Sequence, residues 1–169
     1  MKTTDVIDHL NAGLSALTAQ RPRVEAAAPF PKSDNILHNV PEAYWYPPEV
    51  LAHLTEMLPF WFGEVERIMA GNGTDPVPFG RVAANDLRIG VIDRDRTLPF
   101  RELYARIESI VNRAIARLGE MTDADLDREG LRQSRGIVTV GQIMNDSMAG
   151  HLMEHVRQID DLLANPPKP

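Results

Sequence analysis

Apolar residues recur every three or four positions in four segments of this chain, the spacing that places them on one face of an α-helix. The first segment runs from about Thr4 to Gln20 and stops at Pro22. The second begins at Pro47 and Pro48, since proline suits the first turn of a helix, and ends at Gly71-Asn72-Gly73. Pro59 lies inside this second segment and predicts a kink or a fresh helix start there.

The third and fourth segments carry recognisable start and stop signals. The third has Thr97 as a cap and Pro99 in its first turn, and Gly119 ends it. Its predicted buried stripe comprises Phe100, Leu103, Tyr104, Ile107, Ile110, Val111, Ala114 and Leu118. The fourth opens with the T-x-x-Q capping box Thr139-Val-Gly-Gln142 and ends before Asn165-Pro166-Pro167.

The connections between these segments are rich in proline, glycine and charged residues. Residues 21–46 predict a long ordered loop, and residues 71–96 predict a second irregular connection in which LRIGVID, 87–93, could be extended. A short turn of helix is expected around Leu126. Because no segment alternates convincingly as a strand, we expect an all-α protein, a four-helix bundle forming a single domain over residues 1–169.

Composition narrows the class of protein. With 169 residues and 43% hydrophobic content the chain can build one core but not two. A net charge of −6, with 18 basic residues scattered among 24 acidic ones, argues against nucleic acid as a partner. Cysteine is absent, so any thiol chemistry needs a thiol from outside. The start does not read as a signal peptide and no run approaches the roughly 18 apolar residues of a membrane span, so we expect a soluble, cytoplasmic protein.

Two histidines lie one turn apart in the fourth predicted helix. At about 100° per residue from Met144, His151 falls near −20° and His155 near +20°, inside the apolar arc of that helix. Each could be a buried, hydrogen-bonded core histidine, but two polar rings in a core need two sets of partners. One metal ion satisfies both rings, because the i, i+4 spacing lets both nitrogens reach an ion at about 2.0–2.1 Å.

A metal site needs a third ligand from another helix, and His53 is the best candidate. It lies at the edge of the apolar arc of the second predicted helix, where its side chain would reach sideways across the bundle. His9, beside the apolar stripe of the first helix, and His38, in the proline-rich loop, are weaker candidates.

Two other metal sites are disfavoured. The residues from His151 to His155 match the H-x-x-E-H pattern of inverzincin peptidases, with Glu154 as the general base. That peptidase site needs a further acidic ligand well downstream, and only 14 residues follow His155. A ferritin-like di-iron site would need a Glu-x-x-His pair from each of two helices, which the chain lacks.

Three stretches of this sequence resemble the DinB-like (YfiT) superfamily in order and spacing. They are the run from Trp45 through His53 to Glu56, the acidic connector MTDADLDRE, and His151-x-x-x-His155-x-x-Gln158-Ile159. The resemblance covers residues 3–163 and is specific in the second and fourth helices. The chain departs from the family pattern at Glu56, where Asp is common, and at Leu152, where Glu is common, so that the nearby carboxylate moves to Glu154.

The resemblance implies an up-down-down-up four-helix bundle, commonly dimeric, with His53, His151 and His155 as ligands of a divalent metal. Zinc or nickel is the expected ion, with iron or manganese as further options. Some relatives in this superfamily are transferases and isomerases that use low-molecular-weight thiols.

The leading hypothesis for function is a metal-dependent enzyme that activates a thiol from solution for S-transfer to an electrophilic small molecule. Hydrolysis by an activated water is less favoured. The rival is a metal-binding or interaction module without catalysis, and a metal-free bundle is the third option. If the two long loops wall a pocket over the ion, lined by Tyr44, Trp45 and Tyr46, an enzyme is favoured. If His9 or Glu154 fills the open ligand position, the site is structural.

Overall fold

A computed structural model describes residues 1–31, 42–82, 85–133 and 135–165 of the chain. The protein is mostly helical, with one small three-stranded sheet. In chain order the helices are α1 (Thr3–Ala27), α2 (Pro47–Met69), α3 (Asp86–Asp95), α4 (Phe100–Glu120) and α5 (140–164), and the strands are β1 (Val77–Phe79), β2 (Glu129–Arg132) and β3 (Gly136–Thr139). Two 3₁₀ turns, Glu42–Tyr44 and Asp123–Asp127, precede α2 and β2.

The long helices enclose the core. Both α1 and α2 pack against α4 and α5, and α3 packs on α2. The core formed between them contains fully buried side chains from all four long helices, including Leu10, Leu51, Ile107 and Leu152. Within the described ranges, no helix combines the length and apolar character needed to cross a membrane.

Helix α1 is longer than predicted, because it continues through Pro22 to Ala27. A proline inside a helix costs about 3 kcal/mol through a lost hydrogen bond and a clash with the preceding turn. Burial of Val24, which is fully covered, contributes about 1.5–3 kcal/mol in the opposite direction. The amide of the buried Gln20 also donates to the carbonyl of Val156 at 2.6 Å. The predicted loop from residue 21 therefore begins only after Ala27, and its His38 lies outside the described residues.

Helix α2 begins at Pro47 and ends just before Ala70, as predicted. Pro59 neither ends nor restarts it, since the helix is assigned continuously over 23 residues. Its ring lies on the exposed side of the helix.

The connection predicted as irregular over 71–96 contains β1 and α3, so that prediction was wrong for LRIGVID, which is helical. The side chain of Asn85 caps α3 by accepting a hydrogen bond from the Arg88 amide at 3.1 Å. Ile89 and Ile92, three positions apart, are both buried. Their helical spacing was hidden in a segment too short for the period to be read.

Helix α4 buries the predicted stripe, except that Phe100 is only half-buried. Its cap residue is Pro99 rather than Thr97, and it passes through Gly119 to end at Glu120. The turn around Leu126, which is buried, is confirmed as the second 3₁₀ turn.

The sheet was not predicted, because strands of three or four residues are too short to show alternation. Strand β1 pairs in parallel with β2, and β2 pairs antiparallel with β3. Gly130 in β2 lets the sheet approach α2 closely, since a Cβ at this position would lie 2.5 Å from Cδ1 of Ile68.

Helix α5 consists of a short α-helical turn (Val140–Gln142), a π-helical segment (Ile143–Gly150) and an α-helix (His151–Ala164). The predicted capping box is confirmed: Thr139 Oγ1 accepts from the Gln142 amide at 3.2 Å, and Gln142 Oε1 accepts from the Thr139 amide at 2.9 Å. The helix ends before Asn165, as predicted. Because both histidines follow the π-helical segment, their i, i+4 relation is preserved within a regular α-helix.

Candidate metal centre

Three histidine side chains from two helices converge at one point. His53 on α2 and His155 on α5 are buried, with 2% and 4% of their surface exposed, and the side chain of His151 is 31% exposed. The Nε2 atom of His151 lies 3.3 Å from Nε2 of His53 and 3.1 Å from Nε2 of His155. The structure thus brings together the three residues selected from the sequence.

A fourth side chain, Glu42, completes the cluster. It stands at the start of the first 3₁₀ turn, and ligand atoms of Glu42, His53, His151 and His155 all lie within 4.8 Å of one another. Two ligands at about 2.0–2.1 Å from a tetrahedral ion stand about 3.3 Å apart, which matches the two measured nitrogen separations. The cluster therefore has the donor set and the spacing to hold a divalent metal ion.

Hydrogen bonds at the Nδ1 atoms of His151 and His155 orient the Nε2 atoms of these rings toward the centre of the cluster. His151 Nδ1 is 3.0 Å from a carboxylate oxygen of Glu154, and His155 Nδ1 is 2.7 Å from the amide oxygen of Gln158. Since these oxygens only accept, each Nδ1 carries the proton and each Nε2 keeps a free electron pair. Gln158 in turn donates to the carbonyl of Glu42 at 2.5 Å, which links the histidine to the turn that carries the carboxylate.

The ring of His53 is held differently. Its Nδ1 lies 3.3 Å from Nη2 of Arg88, which also pairs with the Glu42 carboxylate. Because a guanidinium only donates, this contact places the His53 proton on Nε2 when no ion is bound. An ion at Nε2 therefore requires the proton to move to Nδ1 and Arg88 to turn toward Glu42. The edge of the ring also packs against Trp45, with centroids 5.7 Å apart.

Burial and crowding keep the two buried histidines uncharged. Burial, and then the positive fields of His155 and Arg88, lowers the pKa of His53 well below its usual 6.5. Burial, and then the field of His151, lowers the pKa of His155 to about 4. Both rings are neutral at pH 7 and can offer an electron pair to a cation.

Of the other sequence candidates, His9 and Glu154 are not in the cluster, and His38 lies outside the described residues. His9 forms a contact with Asn145, Nδ1 to Oδ1 at 3.1 Å, and Glu154 lies behind His151 rather than among the four ligand atoms. Sequence reasoning missed Glu42 and Arg88. Neither stands in a periodic helix pattern near the histidines, and only the position of Glu42 shortly before Trp45 hinted at its neighbourhood.

A cavity of about 370 Å³ opens over His53 and His151. Its walls include residues from both connections that the sequence analysis singled out, Glu42 from the first and Arg81, Val82 and Arg88 from the second. Of the three aromatic residues expected to line it, Trp45 is instead buried against His53, and Tyr44 lines a separate opening beside His151 and His155. The cluster is therefore accessible to a small molecule from solution.

Comparison with known proteins places the chain in a family. A search of curated proteins and a search of solved structures returned no match to this chain. A profile of the DinB superfamily matches residues 16–159, a range that includes Glu42 and all three clustered histidines. Because the match covers most of the chain, the protein belongs to the DinB superfamily.

Proposed function

We propose that this protein is a metal-dependent enzyme that joins a low-molecular-weight thiol, through its sulfur, to an electrophilic small molecule. The convergence of three histidine nitrogens beside an open cavity, which His53 and His151 line, carries the proposal. His53, His151 and His155 would hold the ion, zinc or nickel in the first instance and iron or manganese as further options. A divalent ion at this position would lower the pKa of a thiol or water bound beside it.

The residues of the chain orient the metal ligands, and the reacting sulfur comes from another molecule. Three neutral imidazoles add no negative charge, so the charge of the ion remains available to the incoming group. Glu154 and Gln158 orient His151 and His155. The chain has no cysteine, so the thiol comes from solution, and a cytoplasmic location would keep it reduced. In the transfer a sulfur–carbon bond forms, the bond from carbon to its leaving group breaks, and the thiol proton departs with the leaving group.

Glu42 favours a second candidate, a metal-binding module without catalysis. With its carboxylate as fourth ligand the set His₃Glu would close a tetrahedral site. Two observations argue against Glu42 as a permanent fourth ligand. Its carboxylate is already paired with Arg88, and its side chain is 37% exposed on a turn outside the long helices. We therefore propose that Glu42 yields its place to the incoming thiol.

Activity and elemental analysis test these alternatives together. Protein purified without chelator should contain about one divalent ion per chain. His151→Ala should lose it, whereas His9→Ala, which removes a histidine outside the cluster, should keep it. The zinc- or nickel-loaded protein should consume a low-molecular-weight thiol with a test electrophile in a metal-dependent manner. Metal content without such consumption would favour the binding module, and an absence of metal would reject both proposals.

We also propose the up-down-down-up helix order and a homodimer. The packing of α1 and α2 on α4 and α5 is compatible with that order. The exposed side chains of Leu131 and Ile137, paired across β2 and β3, offer an apolar surface for a second copy. Light scattering on the purified protein would give twice the chain mass for a dimer.

A further inference from the structure

The cavity over the histidines has an arginine-rich wall. Four arginines line it, Arg81, Arg88, Arg132 and Arg135, together with three acidic residues, Glu42, Asp146 and Glu154. The arginines come from three elements, namely the connection after β1, helix α3 and the β2–β3 hairpin. The wall differs from the overall composition of the chain, which is acidic.

Two of these arginines are already held by carboxylates. Arg81 forms an ion pair with Glu56 and lies over the ring of Phe60, 3.8 Å from its centroid. Arg88 pairs with Glu42. Their charge is largely compensated within the protein, so they shape the cavity rather than attract an anion.

Arg132 and Arg135 form no ion pair with any residue in the described part of the chain. The guanidinium of Arg132 lies over the ring of Trp61, 4.6 Å from its centroid, and its buried Nε has no hydrogen-bond partner among the described residues. Burial, and then the neighbouring charge of Arg135, lowers the pKa of Arg132. A partly buried cation whose charge no described carboxylate neutralises favours an anion beside it.

The side chain of Arg132 is restrained by its neighbours. Its stem passes close to Gly80, which has a φ of +94° and at which an added Cβ would lie 3.3 Å from Cγ of Arg132. A guanidinium that is stacked on an aromatic ring loses less freedom when it binds a ligand. Strand β2 therefore presents the Arg132 guanidinium to the cavity in a restrained position.

We propose that the cavity is an anion-binding subsite in which Arg132 and Arg135 bind a carboxylate of the substrate. The opposite end of that substrate would then reach the histidine cluster, and this orientation rests on the function proposed above. Asp146 and Glu154 line the same cavity, so a phosphate, which concentrates a charge near −2 in one group, is repelled there more than a single carboxylate group. This holds for a dicarboxylate as well, because its second charge lies at the far end of the molecule. Arg132 and Arg135 are thus assigned as specificity-determining residues.

Calorimetric titration of the zinc-loaded protein with glutarate tests the assignment. Glutaramide, the uncharged diamide, and inorganic phosphate are titrated in parallel. Wild-type protein should bind glutarate at least about tenfold more tightly than either, and Arg132→Gln and Arg135→Gln should each weaken glutarate binding about tenfold or more. Arg101→Gln, which removes an exposed arginine outside the cavity, serves as the charge-matched control and should bind as wild type does.

Several outcomes would overturn the proposal. They are tighter binding of phosphate than of glutarate, equal binding by the arginine variants and the Arg101→Gln control, and no binding up to on the order of 10 mM. Circular dichroism melting curves check that each variant is folded. Glutarate binding requires no thiol and no turnover, so the same titration on chelator-treated protein separates this inference from the proposed function. Arginine-dependent binding by a protein without transferase activity would leave the subsite standing and reject the enzyme.

Discussion

His53 and His155 are polar side chains buried in the core, and each has partners that make its burial tolerable. His53 contacts Arg88 through Nδ1, and His155 contacts Gln158. The Nε2 atoms of His53 and His155 both contact Nε2 of His151. Two imidazole nitrogens that face each other at about 3 Å can share a proton or a cation, and only a cation satisfies all three rings at once.

Gln158 should be a positioning residue for the candidate metal site. Its oxygen orients His155 and its amide nitrogen binds the Glu42 carbonyl. Gln158→Ala should weaken zinc affinity by 10- to 100-fold, as other losses of a partner behind a metal ligand do. Gln158→Glu keeps an acceptor for His155 Nδ1 but loses the donor to Glu42, and it should recover most of the affinity.

Competition with a chromophoric chelator measures both affinities. Unchanged zinc binding in Gln158→Ala would show that His155 needs no partner for its orientation. Equal losses in both variants would assign the effect to the contact with Glu42 instead.

Acid should destabilise the metal-free protein through its buried histidines. The pKa of His155 is about 4 in the folded protein against 6.5 for an unperturbed histidine, so the unfolded chain binds more protons between these values. The stabilising contribution of the neutral His155 is therefore fully present above pH 6.5 and is lost as the pH drops toward 4. This loss lowers the free energy of unfolding by about 3 kcal/mol from His155 alone. His53 acts in the same direction, because its pKa is also lowered.

Urea unfolding in the presence of chelator, at pH 7 and at pH 4.5, measures this loss. His155→Leu, which removes one titrating group from the core, should flatten the dependence on pH. A wild-type free energy of unfolding that is equal at both pH values would contradict the lowered pKa values.

At the scale of elements, the sheet has a specific structural role, because β2 lies directly against α2. The Cβ of an alanine at position 130 would fall 2.5 Å from Ile68 Cδ1 and 2.7 Å from Phe79 Cδ1. Gly130→Ala should therefore lower the free energy of unfolding by about 1–3 kcal/mol. Gly119→Ala on α4 provides the matched control, since its Cβ would meet no atom of the described residues within 4 Å.

Alanine is the better helix former, so the control variant should be more stable than wild type by about 0.5–1 kcal/mol. Denaturant unfolding of both variants gives the comparison. A neutral Gly130→Ala would mean that the sheet can move away from α2 without loss.

Three separate elements contribute to the histidine cluster, and an ion bound there would connect them. Glu42 comes from the 3₁₀ turn, His53 from α2, and His151 and His155 from α5. Zinc at 100 times its dissociation constant should raise the free energy of unfolding of the whole molecule by about 2.7 kcal/mol. Thermal unfolding with and without zinc measures the shift, and His53→Ala should abolish most of it.

Much of the helical framework could be predicted from local sequence. The starts of α2 and α5, the stripe of α4 and the i, i+4 histidine pair depend on residues within a few turns of one another. His53 was selected from its place on its own helix, and the structure brings it to His151 across 98 positions of sequence. That the three histidines bind a metal stays a prediction.

Errors occurred where local preference was overruled or where the period was too short to read. Pro22 signals a stop, but the burial of Val24 and the bond from Gln20 to Val156 carry α1 onward. The strands and α3 contain three to ten residues, too few for their spacing to stand out.

The sequence by itself determined where the long amphipathic helices form and that the last one turns two histidines inward, because helical periodicity is a local property of the chain. Only the tertiary structure decided what surrounds those rings. Glu42 and Arg88 are 46 positions apart and form an ion pair beside His53. Arg132 lines the cavity over these rings and comes from a hairpin that the sequence pattern did not predict. Contacts of this kind arise from the packing of whole elements, which spacing along the chain does not encode.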